Sequence, residues 1–227
     1  NLIWQGFTFK NWLNPCGAPE VCAALGNSMK IGFLATLFST ILGTMIAFAL
    51  GRYSFRGRTS TNLLIFLPMA TPEIVLGASL LAMFLNLGIN PGFWTTVIAH
   101  VMFCISFVVV TVKARIASLD PKLEEAARDL YATEWQTFRR VTLPLVAPGI
   151  AAAALLAFSL SFDDFIITNF NSGTVNTFPK FVWVSSARGV PAQANVIGSA
   201  MFLIALAIVI SAQIYSSAKA RRLQKKH

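Results

Sequence analysis

Five long apolar runs constrain this chain more than any other feature. They extend over approximately residues 28–50, 63–85, 93–112, 149–167 and 195–215. Each is close to the roughly 20 residues that a helix needs to cross about 30 Å of hydrocarbon. Hydrophobic residues make up 56% of the 227 and charged residues only 12%, a balance that is unusual for a soluble domain. The sequence therefore predicts an all-α membrane protein with five visible transmembrane helices.

The positive charge follows the gaps between these runs. The net charge of +9 would suggest a nucleic-acid partner if it covered a soluble face, but here it alternates with the predicted spans, so we expect no nucleic acid. Fourteen of the eighteen Lys and Arg fall in three segments, namely Arg52, Arg56 and Arg58; Lys113, Arg115, Lys122, Arg128, Arg139 and Arg140; and Lys219, Arg221, Arg222, Lys225 and Lys226. The positive-inside rule places these segments and the C-terminus in the cytoplasm.

This topology divides the chain into three parts. Residues 1–27 form an extracytoplasmic N-terminal segment, residues 28–217 a transmembrane domain with a cytoplasmic loop at 113–147, and residues 218–227 a basic tail. An external N-terminus usually follows a signal sequence or an earlier span. We therefore expect a preceding N-terminal span that is missing here, the alternative being a natural five-span protein with a translocated N-terminus.

The sequence lacks the residue patterns typical of phosphate-binding loops, metal sites and nucleophilic catalysis. The chain has no Gly-rich phosphate loop, and neither a metal set nor a Ser/His/Asp or Cys/His constellation can be assembled from its Cys and His, so we expect no enzyme, metal or cofactor in this chain. His100 lies in an apolar run, where a packed, hydrogen-bonded histidine is favoured over a proton relay. Cys16 and Cys22, both predicted outside, form either a disulfide or two free thiols.

The large cytoplasmic loop predicts two short helices. Asp120 can cap the first, Pro121 suits its first position, and it runs to about Leu130. The second begins at Thr133, because Thr133 and Gln136 form a capping box, and it stops before Pro144. A bend at 131–132 separates them.

The surface of this helix pair has two interpretations. Ala126 and Ala127 leave part of the first helix small, whereas Trp135 and Phe138 give the second a bulky apolar face at i, i+3 spacing. Such a pair can seat in a groove of a partner. The alternative is a solvated loop with accidental helix propensity.

The same loop resembles the signature of the membrane subunits of bacterial ABC importers. That signature reads Glu-Ala-Ala, three residues, usually Gly, nine residues, an aliphatic residue, one residue and Leu-Pro. The matching positions in this chain are Glu125, Ala126, Ala127, Tyr131, Val141, Leu143 and Pro144. The resemblance implies the type I ABC importer permease fold. It also implies that the loop is a coupling helix that inserts into an ATP-binding subunit, where ATP and Mg would bind.

Tyr131 departs from this pattern, because the family usually has Gly there. Glycine suits a bend with positive φ, which a tyrosine adopts only at a cost in free energy. Either the bend is made with negative φ, or Tyr131 is an added contact to the partner.

Other motifs resemble the spermidine/putrescine importer permeases, specifically their second permease subunit. They are residues 72–77 (PEIVLG), residues 160–165 (LSFDDF), and Pro191 with Asn195. The resemblance implies a multi-pass protein of the bacterial cytoplasmic membrane that moves polyamines. The implied partners are a second homologous permease, a dimer of ATP-binding subunits, an extracytoplasmic polyamine-binding protein and the lipid bilayer.

Three acidic residues independently indicate a cationic substrate. Glu73, Asp163 and Asp164 lie in or at the edge of predicted spans, and a carboxylate at membrane depth is costly unless it is paired or wet. Pro68 and Pro72 can break the helix before Glu73. Adjacent residues point about 100° apart on a helix, so one of Asp163 and Asp164 faces the pathway while the other caps a helix or bonds a partner. The alternative for Glu73 is a carboxylate bonded to a neighbouring span.

Aromatic rings accompany these acids. Phe162 is next to Asp163, and Trp183 lies in an amphipathic segment predicted on the outer surface. Both are candidates for cation–π contacts with an amine substrate. The sequence leaves open an ABC permease for another small cation or organic solute, a proton-coupled secondary transporter that uses Glu73, Asp163 and His100, and a scaffold subunit.

Overall fold

The structure is a computed structural model that describes residues 8–224. Residues 1–7 and 225–227, including Lys225 and Lys226 of the predicted basic tail, lie outside the described residues. All regular elements in the described part are helices, which confirms the all-α prediction. In chain order they are α1 (Lys10–Leu13), α2 (Val21–Arg52), α3 (Arg58–Ala70), α4 (Glu73–Asn86), α5 (Phe93–Ala117), α6 (Lys122–Asp129), α7 (Glu134–Thr137), α8 (Leu143–Asp163), α9 (Ile166–Asn171), α10 (Phe178–Ser186) and α11 (Ala192–Gln224). A π-helix, Phe138–Thr142, joins α7 to α8.

The long helices overlap the predicted runs but differ from them in their bounds. Among the described residues, three stretches are each long and apolar enough to cross a membrane, namely α2, α5 and Glu134–Asp163. Helices α3 and α4 meet this requirement together as a bent pair, and α11 carries an apolar segment over Ala192–Ala207. Helices α2 and α5 extend beyond the predicted runs, so Lys113 and Arg115 belong to α5 and not to the following loop.

The predicted span at 63–85 is not one straight helix. Helices α3 and α4 meet at an angle of 108°. The chain is extended at Thr71 and Pro72, with ψ of 131° and 134°. Proline disfavours helical geometry in the residue before it and has no N–H to donate, so the break falls here. Pro68 lies inside α3 and does not end it.

The predicted span at 149–167 begins earlier and is interrupted. Helix α8 ends at Asp163, and Asp164 is extended before α9 starts. The expectation that the second loop helix stops before Pro144 is wrong, because helix continues through Phe138–Thr142 into α8. The π-helical turn leaves Pro144 in the first turn of α8, where a missing N–H donor is tolerated.

The described part of the chain divides into two compact units, one of residues 23–180 and one of residues 8–22 with 181–224. In the first unit α5 is the central helix and packs against α3, α8 and α9. Its buried residues include Val97, Ala99, Phe103, Cys104, Val108, Val109 and Val112. By contrast α2 keeps large apolar side chains such as Phe33, Ile41 and Met45 exposed. An apolar face of this size is typical of contact with lipid or a partner.

The described part of the second unit contains the N-terminal segment and α11. Cys16 and Cys22 form a disulfide, which decides between the two alternatives left by the sequence. Helix α1 packs on α11, and Gln193 donates to the side-chain oxygen of Asn11 at 3.4 Å. The N-terminal segment is therefore attached to this unit by packing and closed on itself by the disulfide.

Gly43 provides a test of the close approach between α2 and α5. A Cβ added there would lie 2.7 Å from Cγ1 of Val108 and 3.3 Å from the carbonyl oxygen of Ile105. We expect Gly43→Ala to destabilise the protein by about 1–3 kcal/mol through overpacking, measured as a lower thermal unfolding midpoint in detergent. Gly26→Ala on the same helix is the control, because its Cβ would meet nothing within 4 Å. An equal effect of the two substitutions would contradict the close approach.

Candidate functional site

The loop between α5 and α8 contains the two predicted short helices. The side chain of Asp120 accepts from the backbone N–H of Lys122 at 3.0 Å at the start of α6. Before α7, the N–H of Gln136 donates to the hydroxyl of Thr133 at 3.3 Å, and the N–H of Thr133 donates to the side chain of Gln136 at 2.9 Å. The predicted capping box is therefore formed and fixes where α7 begins.

The bend between these helices is made at Tyr131 with φ of +60°. The N–H of Ala132 donates to the carbonyl of Ala127 at 3.1 Å, which closes the end of α6 in the way usual for a left-handed C-terminal residue. A left-handed residue other than glycine costs about 1–2 kcal/mol. The Tyr131 side chain is 96% exposed, so no packing within the described chain offsets this cost. The alternative of a bend with negative φ is wrong.

The motif residues lie at two levels of burial. Glu125, Ala126 and Pro144 are exposed, while Ala127 and Leu143 are partly buried. Glu125 and Ala126 therefore present a free surface on α6. Leu143 starts α8, so the Leu-Pro end of the motif belongs to the span.

A polar cluster that the sequence analysis missed fastens α6 to the spans. The carboxylate of Glu124 accepts from the guanidinium of Arg52, at the end of α2, and from the hydroxyl of Thr142 at 2.7 Å. Arg52 also donates to Thr142 at 3.0 Å. No local pattern could reveal these bonds, because the partners of Glu124 lie 72 and 18 residues away.

A groove of about 720 Å³ lies beside this cluster. Its lining residues are Phe48, Arg52, Tyr53, Glu124, Arg128, Glu134, Trp135, Thr137 and Phe138. The ring of Phe138 packs on Phe48 with centroids 5.3 Å apart and stacks with Trp135 at 5.6 Å, yet Trp135 remains 67% exposed. One side of the predicted apolar face is thus packed against α2, and the other side is open.

The three intramembrane acids differ in exposure. Glu73, the first residue of α4, and Asp163, the last residue of α8, are exposed. Asp164 is 8% exposed. Helix α4, which Glu73 opens, lies against α9, because a Cβ added at Gly77 would lie 3.3 Å from the Cα of Ile167; the break before α4 and the break after α8 therefore lie near each other.

Asp164 is the cap of α9. Its carboxylate accepts from the N–H of Ile167 at 3.3 Å and from the N–H of Thr168 at 2.8 Å. The ring of His100 approaches the same carboxylate, with Nε2 3.3 Å from Oδ2. Asp164 thus bonds within the protein, whereas the side chain of Asp163 is exposed.

His100 completes a polar network that sequence reasoning did not assemble. Its Nδ1 lies 2.7 Å from the hydroxyl of Ser161, and its Nε2 lies 2.9 Å from the hydroxyl of Thr168. The fold therefore brings a serine, a histidine and an aspartate together, contrary to our expectation. Ser161 is 4% and His100 1% exposed, so the hydroxyl is closed to a substrate and the network joins helices.

The turn after α9 is held by a buried cation. The ammonium group of Lys180 donates to the hydroxyl of Ser172 at 2.8 Å and to the carbonyls of Gly173 and Val175 at 2.9 and 3.4 Å. Burial lowers the pKa of Lys180, because the charged form loses hydration. The carbonyls around it supply part of the solvation that water would give.

The two aromatic candidates lie in different places. Phe162, partly buried on α8, stacks with Phe158 with centroids 5.8 Å apart. Trp183 lies on α10 in the other compact unit and is 64% exposed. Among the described residues, no group of three or more His, Cys, Asp or Glu is arranged to hold a metal ion.

Residues 39–225 match the family model described as the inner membrane component of binding-protein-dependent transport systems. The chain belongs to this family of multi-pass ABC transporter permeases. It is 35% identical over 221 residues to the spermidine/putrescine transport system permease protein PotC of Escherichia coli K12, which covers 97% of this chain and 84% of that protein. It is 34% identical over 228 residues to the putrescine transport system permease protein PotI of the same strain, covering 97% of this chain and 81% of that protein.

Solved structures show the same fold. A chain of the inward-facing MetNI methionine ABC transporter superposes with a TM-score of 0.70 at 15% identity, covering 86% of this chain and 94% of that chain. A chain of a bacterial ABC transporter that imports alginate superposes with a TM-score of 0.70 at 17% identity, covering 92% of this chain and 83% of that chain. The predicted type I ABC importer permease fold and the resemblance to polyamine permeases are confirmed.

The unequal roles of the adjacent acids can be tested by stability. We expect Asp164→Ala to destabilise the protein by about 1–3 kcal/mol, because it removes a cap and leaves the N–H groups of Ile167 and Thr168 without their acceptor. The measurement is the thermal unfolding midpoint in detergent. Asp163→Ala is the matched control and should leave the midpoint unchanged, because that side chain is exposed. The assignment would be wrong if Asp163→Ala had the larger effect.

Proposed function

We propose that this chain is a permease subunit of an ATP-driven ABC importer that moves spermidine or putrescine into the bacterial cytoplasm. The observation that carries the proposal is the exposure of Glu73 and Asp163 at two neighbouring helix breaks, in a chain whose relatives are polyamine permeases. Exposed carboxylates at such a depth complement ammonium groups. Phe162 lies beside Asp163 and would supply cation–π attraction.

The segment between α5 and α8 is the coupling element in this proposal. Glu125 and Ala126 face away from the chain and would enter a cleft of an ATP-binding subunit, with Tyr131 as a further contact. The bonds of Glu124 to Arg52 and Thr142 support this role, because they connect α6 to the ends of α2 and α8. A movement of α6 would therefore be passed to two spans. ATP and Mg belong to the dimer of ATP-binding subunits.

The proposed orientation follows from the charge distribution. The Arg-rich loops and the C-terminus lie in the cytoplasm, and the segment with the Cys16–Cys22 disulfide lies outside, where oxidising conditions allow the bond. An extracytoplasmic binding protein delivers the polyamine on that side and would contact the exposed Trp183 there. A second homologous permease completes the pathway.

The coupling role predicts a selective loss of function. We expect Glu125→Arg and Ala126→Trp to lower ATP-driven spermidine uptake at least about tenfold, because a reversed charge or a large side chain blocks a close-packed contact. Uptake and ATP hydrolysis are measured in proteoliposomes with the amount of inserted permease determined. Arg56→Glu, a charge reversal in the exposed loop between α2 and α3, is the control. Normal uptake by the α6 variants would exclude the coupling role.

The acidic pathway predicts a different defect. Glu73→Gln and Asp163→Asn should lower the number of spermidine molecules moved per ATP hydrolysed about tenfold, because each removes a charge-assisted interaction with the amine. Glu20→Gln, outside the spans, is the control. An unchanged ratio in both variants would count against the pathway. Uptake that persists without ATP and collapses with a protonophore would instead favour a proton-coupled transporter.

A further inference from the structure

His100 joins three parts of the fold through both ring nitrogens. It lies on α5 and contacts Ser161 near the end of α8 and Thr168 in α9. It also approaches Asp164, in the break between those two helices. A single side chain thus contacts the chain on both sides of an interruption in a membrane helix. Such an interruption persists only where protein groups satisfy its polar atoms.

The direction of these hydrogen bonds follows from the chemistry of the partners. The hydroxyl of Thr168 donates to the carboxylate of Asp164 at 3.1 Å, so it accepts from Nε2 of His100, which lies 2.9 Å away and to which we assign the ring proton. Nδ1 then accepts from the hydroxyl of Ser161. A replacement must therefore donate at one end and accept at the other. The amide of glutamine meets this requirement, and leucine does not.

The other end of α9 is also bonded to α5. The carbonyl of Asn171 accepts from the N–H of Gly92 at 3.1 Å and from the hydroxyl of Thr95 at 2.7 Å. These two residues precede His100 in the first turns of the same helix region. Helix α9 is therefore held at both ends along α5, by His100 at its start and by Thr95 at its end.

The position of α9 determines the position of α4. The side-chain amide of Asn171 donates to the carbonyl of Gly77 at 3.2 Å. A Cβ at Gly77 would lie 3.3 Å from the Cα of Ile167, so the two helices touch closely. Glu73 is one turn before Gly77 on α4. His100 is therefore connected to both exposed carboxylates. Asp163 directly precedes the break that His100 spans, and Glu73 lies on α4, which packs against α9.

We propose that His100 is a positioning residue for translocation, which holds Asp163 and Glu73 in the arrangement that receives the cation. This inference rests on the proposed acidic pathway. In it, Asp164 is occupied by α9 and His100 and does not bind substrate. Without His100 the break relaxes, Asp163 and Glu73 separate, and cation released into the pathway is retained less often.

The test measures spermidine moved per ATP hydrolysed by the full assembled transporter in proteoliposomes with saturating binding protein. This ratio does not depend on how much complex inserts or folds. We expect His100→Leu to lower the ratio about tenfold, because it removes the hydrogen bonds to Ser161 and Thr168, and His100→Gln to stay within about twofold of the unsubstituted protein. Ser106→Ala is the control, a buried polar residue on the same helix that should leave the ratio unchanged.

The outcomes separate this inference from the pathway itself. A normal ratio in His100→Leu, or equal losses in His100→Leu and His100→Gln, would overturn the positioning role. If Glu73→Gln and Asp163→Asn lower the ratio while His100→Leu does not, the pathway stands and the role of His100 is refuted. If His100→Leu does not assemble, Ser161→Ala and Thr168→Val each remove one bond, and the ratio must fall in both.

Discussion

A transmembrane helix can be interrupted only if other protein groups bond to the polar atoms that the interruption exposes, and this requirement shapes the centre of the protein. Between α8 and α9 the carboxylate of Asp164 accepts from two N–H groups of α9, and the ring of His100 approaches that carboxylate. The neighbouring break, before α4, lies close by, because α4 and α9 touch at Gly77 and Ile167. The two breaks together leave Glu73 and Asp163 exposed while Asp164 is buried.

A few polar contacts also hold together the opposite region, where the segment between α5 and α8 meets the ends of the spans. Glu124 bonds to Arg52 and Thr142, so α6 is attached to α2 and to the π-helix that opens α8. The surface of α6 that Glu125 and Ala126 form remains exposed beside this attachment. In the proposed importer the loop would therefore receive a movement on one face and transmit it through the other.

Tyr131 replaces the glycine that is usual in the family motif, and its backbone conformation shows what that replacement costs. The bend has the left-handed geometry for which glycine is suited, and the tyrosine adopts it with its ring exposed. A strained residue without internal packing is a candidate for contact with another molecule. A contact of Tyr131 with an ATP-binding subunit is consistent with the proposed docking of the loop. It is independent of the proposed acidic pathway at Glu73 and Asp163.

The apolar runs, the starts of the two loop helices and the motif at Glu125–Pro144 could be predicted from the sequence, because apolar runs and capping boxes are local patterns. The same local geometry limited Asp163 and Asp164 to two roles, since adjacent residues on a helix point apart. The sequence could not show which acid is buried, that His100 and Ser161 meet across 61 residues, or that Glu124 bonds to Arg52. The burial of a side chain and its long-range hydrogen bonds depend on which helices pack together, and local sequence patterns do not specify that packing.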